Sequence, residues 1–133
     1  MLKNYDIPVV AHIMLGLPNE NLEDIKNTID YINTSPIHGV KIHSTYVVEN
    51  TKLCDMYKNN EYIPLTLDDY LNYLEYVITH LKNDIIIHRL SGDAPKNILV
   101  APEWNLHKKW ILNGINKRLK ENDLYQGIYY NKN

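Results

Sequence analysis

Three histidines, one on each of three predicted strands, are the side chains of this 133-residue chain best suited to chemistry at neutral pH. They are His12, His43 and His88, and an imidazole ring can bind a metal or transfer a proton near pH 7. A three-histidine metal site needs all three rings at one depth of the sheet. His12 lies well before the end of its strand and His88 near the end of its own, so we assign no metal ligand. We expect polar groups that line a barrel interior or contact a substrate.

A second group of reactive side chains stands where the third predicted strand ends. His88, Arg89 and Asp93 are close together in sequence, and such a group can bind a substrate or handle its protons. Equally, Arg89 and Asp93 can tie the loop together while Asp93 caps a following short helix that begins at Pro95. Both interpretations stay open from the sequence, and all three residues are candidates for substrate contact.

Hydrophobic periodicity defines the elements that must position these residues. Residues 7–15, 39–48 and 84–90 are rich in β-branched side chains and are predicted to be strands, the first of them buried on both faces. Residues 21–33 and 66–81 carry apolar side chains at helical spacing behind the capping residues Asn21 and Thr66. A short helix is predicted over residues 53–57.

The C-terminal part of the chain is predicted to be helical up to a loose or edge-like tail over residues 125–133. Asn105 is the expected N-cap of a last helix that reaches residue 121. Its expected buried side chains are Leu106, Trp110, Ile111, Ile115 and Leu119. Trp104 and Trp110 are expected to pack in the core rather than to form a stacking platform.

Alternation of strands and helices predicts an α/β fold with a parallel sheet. Three parallel strands with flanking helices and a C-terminal helix correspond to part of a TIM-type (β/α) barrel, because a whole barrel needs about 250 residues. We expect residues 1–133 to form a single domain. The sheet would have exposed edges, which natural domains avoid, so the chain is predicted to be a piece of something larger.

Composition excludes several classes of function. The formal net charge is -2, so no basic field is available for nucleic acid. No apolar run approaches the roughly 20 residues of a membrane span, and the first residues do not resemble a signal peptide. A single cysteine, Cys54, cannot form an internal disulfide or a cysteine-ligated cluster. These features predict a cytoplasmic location.

The turn after the first strand combines two features that suit a ligand. Gly16 allows the backbone to turn sharply and a ligand to approach closely. The helix that follows presents its N-terminus, which favours an anion or a carboxylate. In a βα fold the carboxyl ends of the strands form the functional edge, and this turn lies there.

The segment around this turn resembles radical S-adenosylmethionine enzymes. Residues 12–20 (HIMLGLPNE) are similar to the fifth-strand segment of those enzymes, in which an apolar strand is followed by the motif GLPxE. Residues 87–95 (IHRLSGDAP) are the more discriminating match. With the shorter matches at 40–43, 51–53 and 104–106, the resemblance covers nearly the whole chain and points to Fe-S oxidoreductases similar to the elongator catalytic subunit.

The resemblance implies a parent enzyme that reductively cleaves S-adenosylmethionine to a 5′-deoxyadenosyl radical, on a substrate it does not identify. The family binds a 4Fe–4S cluster through three cysteines in a CxxxCxxC loop, and this chain contains no such loop. We therefore expect the C-terminal part of a radical SAM barrel with its C-terminal extension. It would contribute part of the pocket for S-adenosylmethionine and substrate while holding neither cofactor itself.

The resemblance also implies contacts with S-adenosylmethionine at particular positions. Met14 occupies the place of an apolar contact to the adenine, two residues before Gly16, and the backbone of the sixth strand lies against the adenine. The family pattern has Glu where this chain has Asn19, and Glu20 follows one place later, so Glu20 is displaced by one residue from the family position. The candidate cofactor-binding residues are Met14, Gly16, Glu20, Tyr46, Val47 and Val48.

Two other functions remain alternatives. The chain can be a non-catalytic interaction module whose open sheet edge pairs with a partner or with a second copy in a homodimer, whereas a barrel fragment would have the missing N-terminal half of the barrel as its partner. It can also be a small metal-dependent hydrolase that uses the three histidines, which we rank below the others.

Overall fold

A parallel three-stranded sheet is the centre of the computed structural model, which describes residues 7–130. The strands are β1 (Val10–Leu15), β2 (Gly39–Ser44) and β4 (Ile86–Arg89), in the order β1-β2-β4. All neighbours run parallel, with Val10 beside Gly39 and Gly39 beside Ile86. The α/β class and the three parallel strands predicted from the sequence are confirmed.

Helices cover only one face of this sheet. They are α1 (Leu22–Asn33), α3 (Leu67–His80) and α4 (Lys108–Glu121), while the shorter α2 (Lys52–Lys58) lies elsewhere. Side chains that point to the covered face are buried, such as Ile13, Val40 and Ile42. The alternate residues of β1 face outward, and Met14 is 41 % exposed. The expectation that the first strand is buried on both faces is therefore wrong, because no helix within residues 7–130 covers the second face.

The second predicted strand is shorter than expected because the chain changes direction after Ser44. Residues 39–48 divide into β2 and the two-residue β3 (Val47–Val48). β3 leaves the parallel sheet and pairs antiparallel with β5 (Leu99–Ala101). The short helix predicted after Pro95 is wrong, because a turn and β5 occupy this segment. Its β-branched and aliphatic residues favour a strand.

The helix starts show which capping signals were read correctly. Asn21 forms a full capping box with Asp24 at the start of α1, and the Thr66 hydroxyl accepts a hydrogen bond from the backbone of Asp69 at the start of α3. Thr51 caps α2 in the same way. The match between sequence and structure at these positions follows from the unpaired N–H groups that every helix start must satisfy.

The start of the last helix was predicted wrongly. A 3-10 turn (Glu103–Leu106) precedes α4, and Asn105 is buried instead of capping it. Trp110 is 51 % exposed and Leu106 also lies at the surface, so their expected burial is wrong. Trp104 is buried as expected, and its indole N–H donates to the Leu65 carbonyl over 3.0 Å.

The segment after α4 packs against the end of α3. The backbone N–H of Gly127 donates to the Ile78 carbonyl, and that of Tyr129 donates to the Thr79 carbonyl. The expectation of a loose tail is therefore wrong over residues 125–130, and its last part, 131–133, lies outside the described residues. Within 7–130, no helix has the length and apolar character needed to cross a membrane.

Candidate functional site

The uncovered face of the sheet, called here the open face, collects most of the candidate side chains. In the strand register His12 of β1 lies beside Lys41 of β2, and Met14 lies beside His43. Lys41 in turn lies beside Arg89 of β4. Side chains of neighbouring residues in a parallel sheet point to the same face. The register therefore places these five side chains on one surface.

Two of the three strand histidines form a pair on the open face. Nδ1 of His12 and Nε2 of His43 are 2.8 Å apart, so one ring donates a hydrogen bond and the other accepts it. The rings are stacked, with centroids 5.1 Å apart. Burial lowers the pKa of His43 below its ordinary value, and the nearby positive charges of His12, Arg89 and Lys41 lower it further. The pair is thus arranged to hold and pass a proton.

The third strand histidine lies across Gly39 rather than with this pair. A Cβ atom added at Gly39 would lie 2.6 Å from Nε2 of His88, so the absence of a side chain there makes room for the ring. Across the described part of the chain, no three His, Cys, Asp or Glu residues converge closely enough to hold a metal ion. The geometry gives no support to the hydrolase alternative.

A cavity of about 500 Å³ lies at the carboxyl ends of β1, β2 and β4. Five of the predicted site residues line it, namely Met14, His43, Tyr46, Arg89 and Asp93. Two of these lining residues, Arg89 and Asp93, form an ion pair 3.3 Å long, and Asp93 forms a second ion pair with Lys108. The Tyr46 hydroxyl donates to the Asp93 carbonyl over 3.3 Å. Asp93 therefore ties the loop, but it caps no helix.

One buried hydroxyl in the cavity wall has no partner in the described structure. Thr45 is 7 % exposed, lines the cavity, and its Oγ1 makes no hydrogen bond. An unpaired polar atom at such depth costs about 1–3 kcal/mol, so Thr45 Oγ1 is a candidate to bond a polar atom of a ligand. The sequence analysis missed Thr45, although its place directly after β2 was a usable signal, because functional side chains collect at strand ends.

The turn after β1 is fixed by hydrogen bonds to its own backbone. Gly16 has a φ of 96°, a conformation that glycine adopts without strain. Its N–H donates to Oε1 of Glu20 over 2.9 Å, and its carbonyl accepts from the Tyr62 hydroxyl over 2.6 Å. Tyr62 was not identified from the sequence, because it lies 46 residues away from Gly16 in the chain.

Glu20 lies in a separate depression of about 280 Å³, which Gly16 and Tyr62 also line. Burial raises the pKa of Glu20 above its ordinary value, although hydrogen bonds from the backbone of Gly16 and Leu17 oppose the effect. Glu20 is absent from the lining of the 500 Å³ cavity. Its observed role is to close the turn.

The residues of β3 differ in what they can offer a ligand. Val47 is fully buried and pairs with Ala101, and Val48 pairs with Leu99. Only Tyr46, just before β3, lines the cavity with its side chain. Of these three candidates from the sequence, Tyr46 is therefore the one in a position to contact a bound molecule directly.

A family model and two curated proteins match most of this chain. Residues 37–121 match the model of the Radical_SAM C-terminal domain. The chain is 28 % identical over 131 residues to the uncharacterized protein YtqA of Bacillus subtilis and 36 % identical over 125 residues to an uncharacterized protein of Methanocaldococcus jannaschii. These alignments cover 98 % and 93 % of this chain but only 41 % and 39 % of the two relatives. The chain thus spans about two fifths of their length.

More distant relatives include enzymes named for their action on tRNA. The tRNA uridine(34) acetyltransferase of Methanocaldococcus infernus is 27 % identical over 103 residues, which cover 75 % of this chain and 19 % of that enzyme. A solved structure of the Methanocaldococcus infernus Elp3 with an N-terminal deletion superimposes with a TM-score of 0.74 at 20 % identity. It covers 98 % of this chain and 33 % of that structure, which shows that the two share a fold.

Proposed function

The chain belongs to the Radical_SAM C-terminal domain family, and from this membership we propose that it forms the C-terminal wall of the barrel of a radical SAM enzyme. Within that barrel it would line part of the pocket for S-adenosylmethionine and substrate. The observation that carries the proposal is the 500 Å³ cavity at the carboxyl ends of the strands, continuous with the open face. In barrel enzymes this end of the strands is where ligands bind.

The lining of the cavity is compatible with part of S-adenosylmethionine. Met14 offers an exposed apolar side chain for a flat ring, and Thr45 offers an unpaired hydroxyl for a polar atom. Tyr46 adds an aromatic ring between them and Asp93. When bound, S-adenosylmethionine together with a 4Fe–4S cluster supplies the radical chemistry of this class, and these residues would bind and orient the nucleoside.

The residues of this chain do not fit the cluster. Cys54 is its only cysteine, it is 3 % exposed, and it packs in α2 against Val47 and Tyr62. A cluster of this type needs several cysteine ligands around one point. We propose that the cluster is held by a further part of the complete enzyme, in keeping with relatives that are more than twice as long.

The remaining strands of the barrel are the proposed partner of this chain. β1 pairs only with β2 in the described structure, so its other edge carries unpaired backbone groups that another strand can use. Val10 and Met14 on the adjoining open face are exposed apolar residues. The free edge of β1 suits pairing with a further strand of the barrel, and the exposed apolar residues suit a face that lines its interior.

A second candidate function, pairing of the β1 edge with another copy, follows from the same exposed edge. It predicts that the isolated chain sediments as a dimer. A monomer at high concentration, in a sedimentation velocity experiment, would contradict self-pairing and leave the barrel proposal as it stands.

A chimera tests the proposed pocket directly. In it, the matched segment of the Bacillus subtilis relative is replaced by this chain, so that the remaining strands are supplied by the longer protein. Met14→Glu places a charge where the adenine would lie, and we expect it to weaken binding of S-adenosylhomocysteine about tenfold or more. Isothermal titration calorimetry measures the change.

Two matched variants make this result specific. Met14→Leu keeps an apolar side chain and should bind nearly as the unchanged chimera does. Tyr31→Glu adds the same charge on α1, where Tyr31 is 70 % exposed and away from the cavity. If Met14→Glu bound S-adenosylhomocysteine as well as Tyr31→Glu does, the assignment of the cavity would be wrong.

A further inference from the structure

A row of basic side chains crosses the open face from one edge of the sheet to the other. His12, Lys41 and Arg89 are neighbours in register on β1, β2 and β4. His43 stands one pleat further along β2 and hydrogen-bonds to His12. We call these four residues the basic row. Nothing in the membership of the family assigns a ligand to them.

The positive charges of the basic row are not balanced by the acidic side chains around it. The positive charges of His12, Arg89 and Lys41 all act on His43 and disfavour its protonation. Asp93 is the acid beside this group, and it is already shared between Arg89 and Lys108. Lys41 takes part in none of the ion pairs found among residues 7–130. Like charges held together in this way repel one another until an anion enters.

We propose that the basic row binds one oxyanion, a phosphate or a carboxylate, of the substrate. Lys41 and Arg89 would neutralise its charge, and the His12–His43 pair would donate a ring N–H to one of its oxygens. The overall charge of -2 argues against a surface that binds a polyanion but not against a site that binds a single oxyanion. The inference rests on the proposed function in one respect, which is that the open face lines the interior of an enzyme pocket.

Histidine resonances provide the test, since two members of the basic row can be observed directly. Inorganic phosphate, and separately acetate, is titrated into the chain at constant ionic strength while the ring C–H signals are followed by NMR. We expect saturable shifts at His12 and His43 with at least one of the two anions. We also expect the bound anion to raise the pKa of His43, as an opposite charge within a few ångströms does.

Charge-removing variants show whether the shifts come from the basic row. Lys41→Met should abolish saturation, because it removes the side chain between His12 and Arg89. Lys26→Met removes the same charge from the exposed side of α1 and should leave the titration unchanged. A well-dispersed amide spectrum of each variant shows that it is folded. Shifts that do not saturate, or that persist in Lys41→Met, would overturn the proposal.

The same titration in the chimera separates a substrate from the protein's own acids. If the basic row faces a substrate, phosphate or acetate still shifts His12 and His43 when the other strands are present. If carboxylates of those strands already neutralise the row, the shifts disappear and the assignment to substrate is wrong. Failure of the proposed pocket gives a different result. In that case Met14→Glu does not change the binding of S-adenosylhomocysteine, while the histidine shifts remain.

Discussion

Single hydrogen bonds from distant residues fix the backbone at the edge of the cavity. Tyr62 is 5 % exposed, and its hydroxyl holds the carbonyl of Gly16, where the chain turns out of β1. Burial, with a smaller contribution from the charge of Glu20, raises the pKa of Tyr62 from an ordinary value of 10.0 to about 12. The phenol therefore stays protonated and continues to donate over the whole physiological range.

Removal of the Tyr62 hydroxyl should destabilise the chain. Tyr62→Phe leaves the Gly16 carbonyl without its donor, which we expect to lower the free energy of unfolding by about 1–3 kcal/mol. Urea unfolding at pH 7 measures this difference. Tyr31→Phe changes a 70 % exposed tyrosine and should have no measurable effect, so equal stability of the two variants would contradict the role given to Tyr62.

The same substitution should change how stability depends on alkaline pH. A folded-state pKa of about 12 lies above the unfolded value, so the contribution of Tyr62 is fully present below pH 10 and is lost between pH 10 and 12. The gap in unfolding free energy between the unchanged chain and Tyr62→Phe should therefore shrink over that interval. A gap that stays constant up to pH 12 would contradict the raised pKa.

The sequence identified much of the cavity lining but not the hydrogen bonds that hold it in place. His43 and Arg89 were predictable because they lie on predicted strands whose carboxyl ends form the functional edge, whereas Met14 was identified only through the resemblance to radical S-adenosylmethionine enzymes. Thr45 was missed although its place directly after β2 is a usable signal, and only the packed structure shows that its hydroxyl lacks a partner. Tyr62 was not predictable, because its bond to Gly16 spans 46 residues and depends on tertiary packing. The different depths of His12 and His88 were expected from their places along the strands, whereas the irregular pairing between β2 and β4 was not visible in the periodicity.

At the scale of elements, buried polar contacts determine where the strands and helices end. The Ser44 hydroxyl, at the last residue of β2, donates to Oδ1 of Asn105 in the 3-10 turn, and the Asn105 amide donates to the Pro102 carbonyl over 3.1 Å. Ser44 and Asn105 are 1 % and 3 % exposed. This bond anchors the segment before α4 to the end of the sheet, beside the cavity.

Asn105 had been predicted to cap a helix, since Asn is a common N-cap residue. Propensity cannot distinguish that role from a buried side chain that accepts a hydrogen bond from the last residue of a strand. In this structure Asn105 makes the second kind of contact, with Ser44. By contrast, Asn21 and Thr66 were read correctly because each has an acid three residues later and an apolar stripe behind it. The parallel sheet itself followed from alternation of elements, whereas the antiparallel β3–β5 pair is too short to leave a periodic signal.

Loss of the Asn105 side chain should cost more than loss of an exposed amide. Asn105→Ala leaves the Ser44 hydroxyl without its partner in a buried place, while the Pro102 carbonyl loses one donor and keeps the backbone N–H of residue 105. We expect unfolding to become easier by about 1–3 kcal/mol. Chemical denaturation followed by circular dichroism measures the change. Asn113→Ala, on the exposed side of α4, is the control.

A double substitution shows whether the Ser44–Asn105 bond carries this cost. In a double-mutant cycle with Ser44→Ala, the two effects should be clearly non-additive, because each variant already breaks the shared bond. Additive effects, or an Asn105→Ala variant as stable as Asn113→Ala, would show that the bond does not hold the turn to β2.

At the scale of the whole molecule, the sheet is built like the wall of a barrel. One face is packed against α1, α3 and α4, and the other carries His12, Met14 and the rest of the candidate site. The chain is similar in fold over 98 % of its length to one third of a larger solved structure. Both observations agree with a sheet that is completed by further strands, which is the central proposal for its function.

The formation of 5′-deoxyadenosine by the chimera tests this proposal most directly. The chimera, with this chain in place of the matched segment of the Bacillus subtilis relative, is loaded with iron and sulfide and given S-adenosylmethionine and a reductant. The account predicts product at a rate within about tenfold of the unchanged relative, because the chain supplies an equivalent wall of the pocket. A chimera that is folded and holds its full cluster, yet forms no 5′-deoxyadenosine, would contradict the proposal.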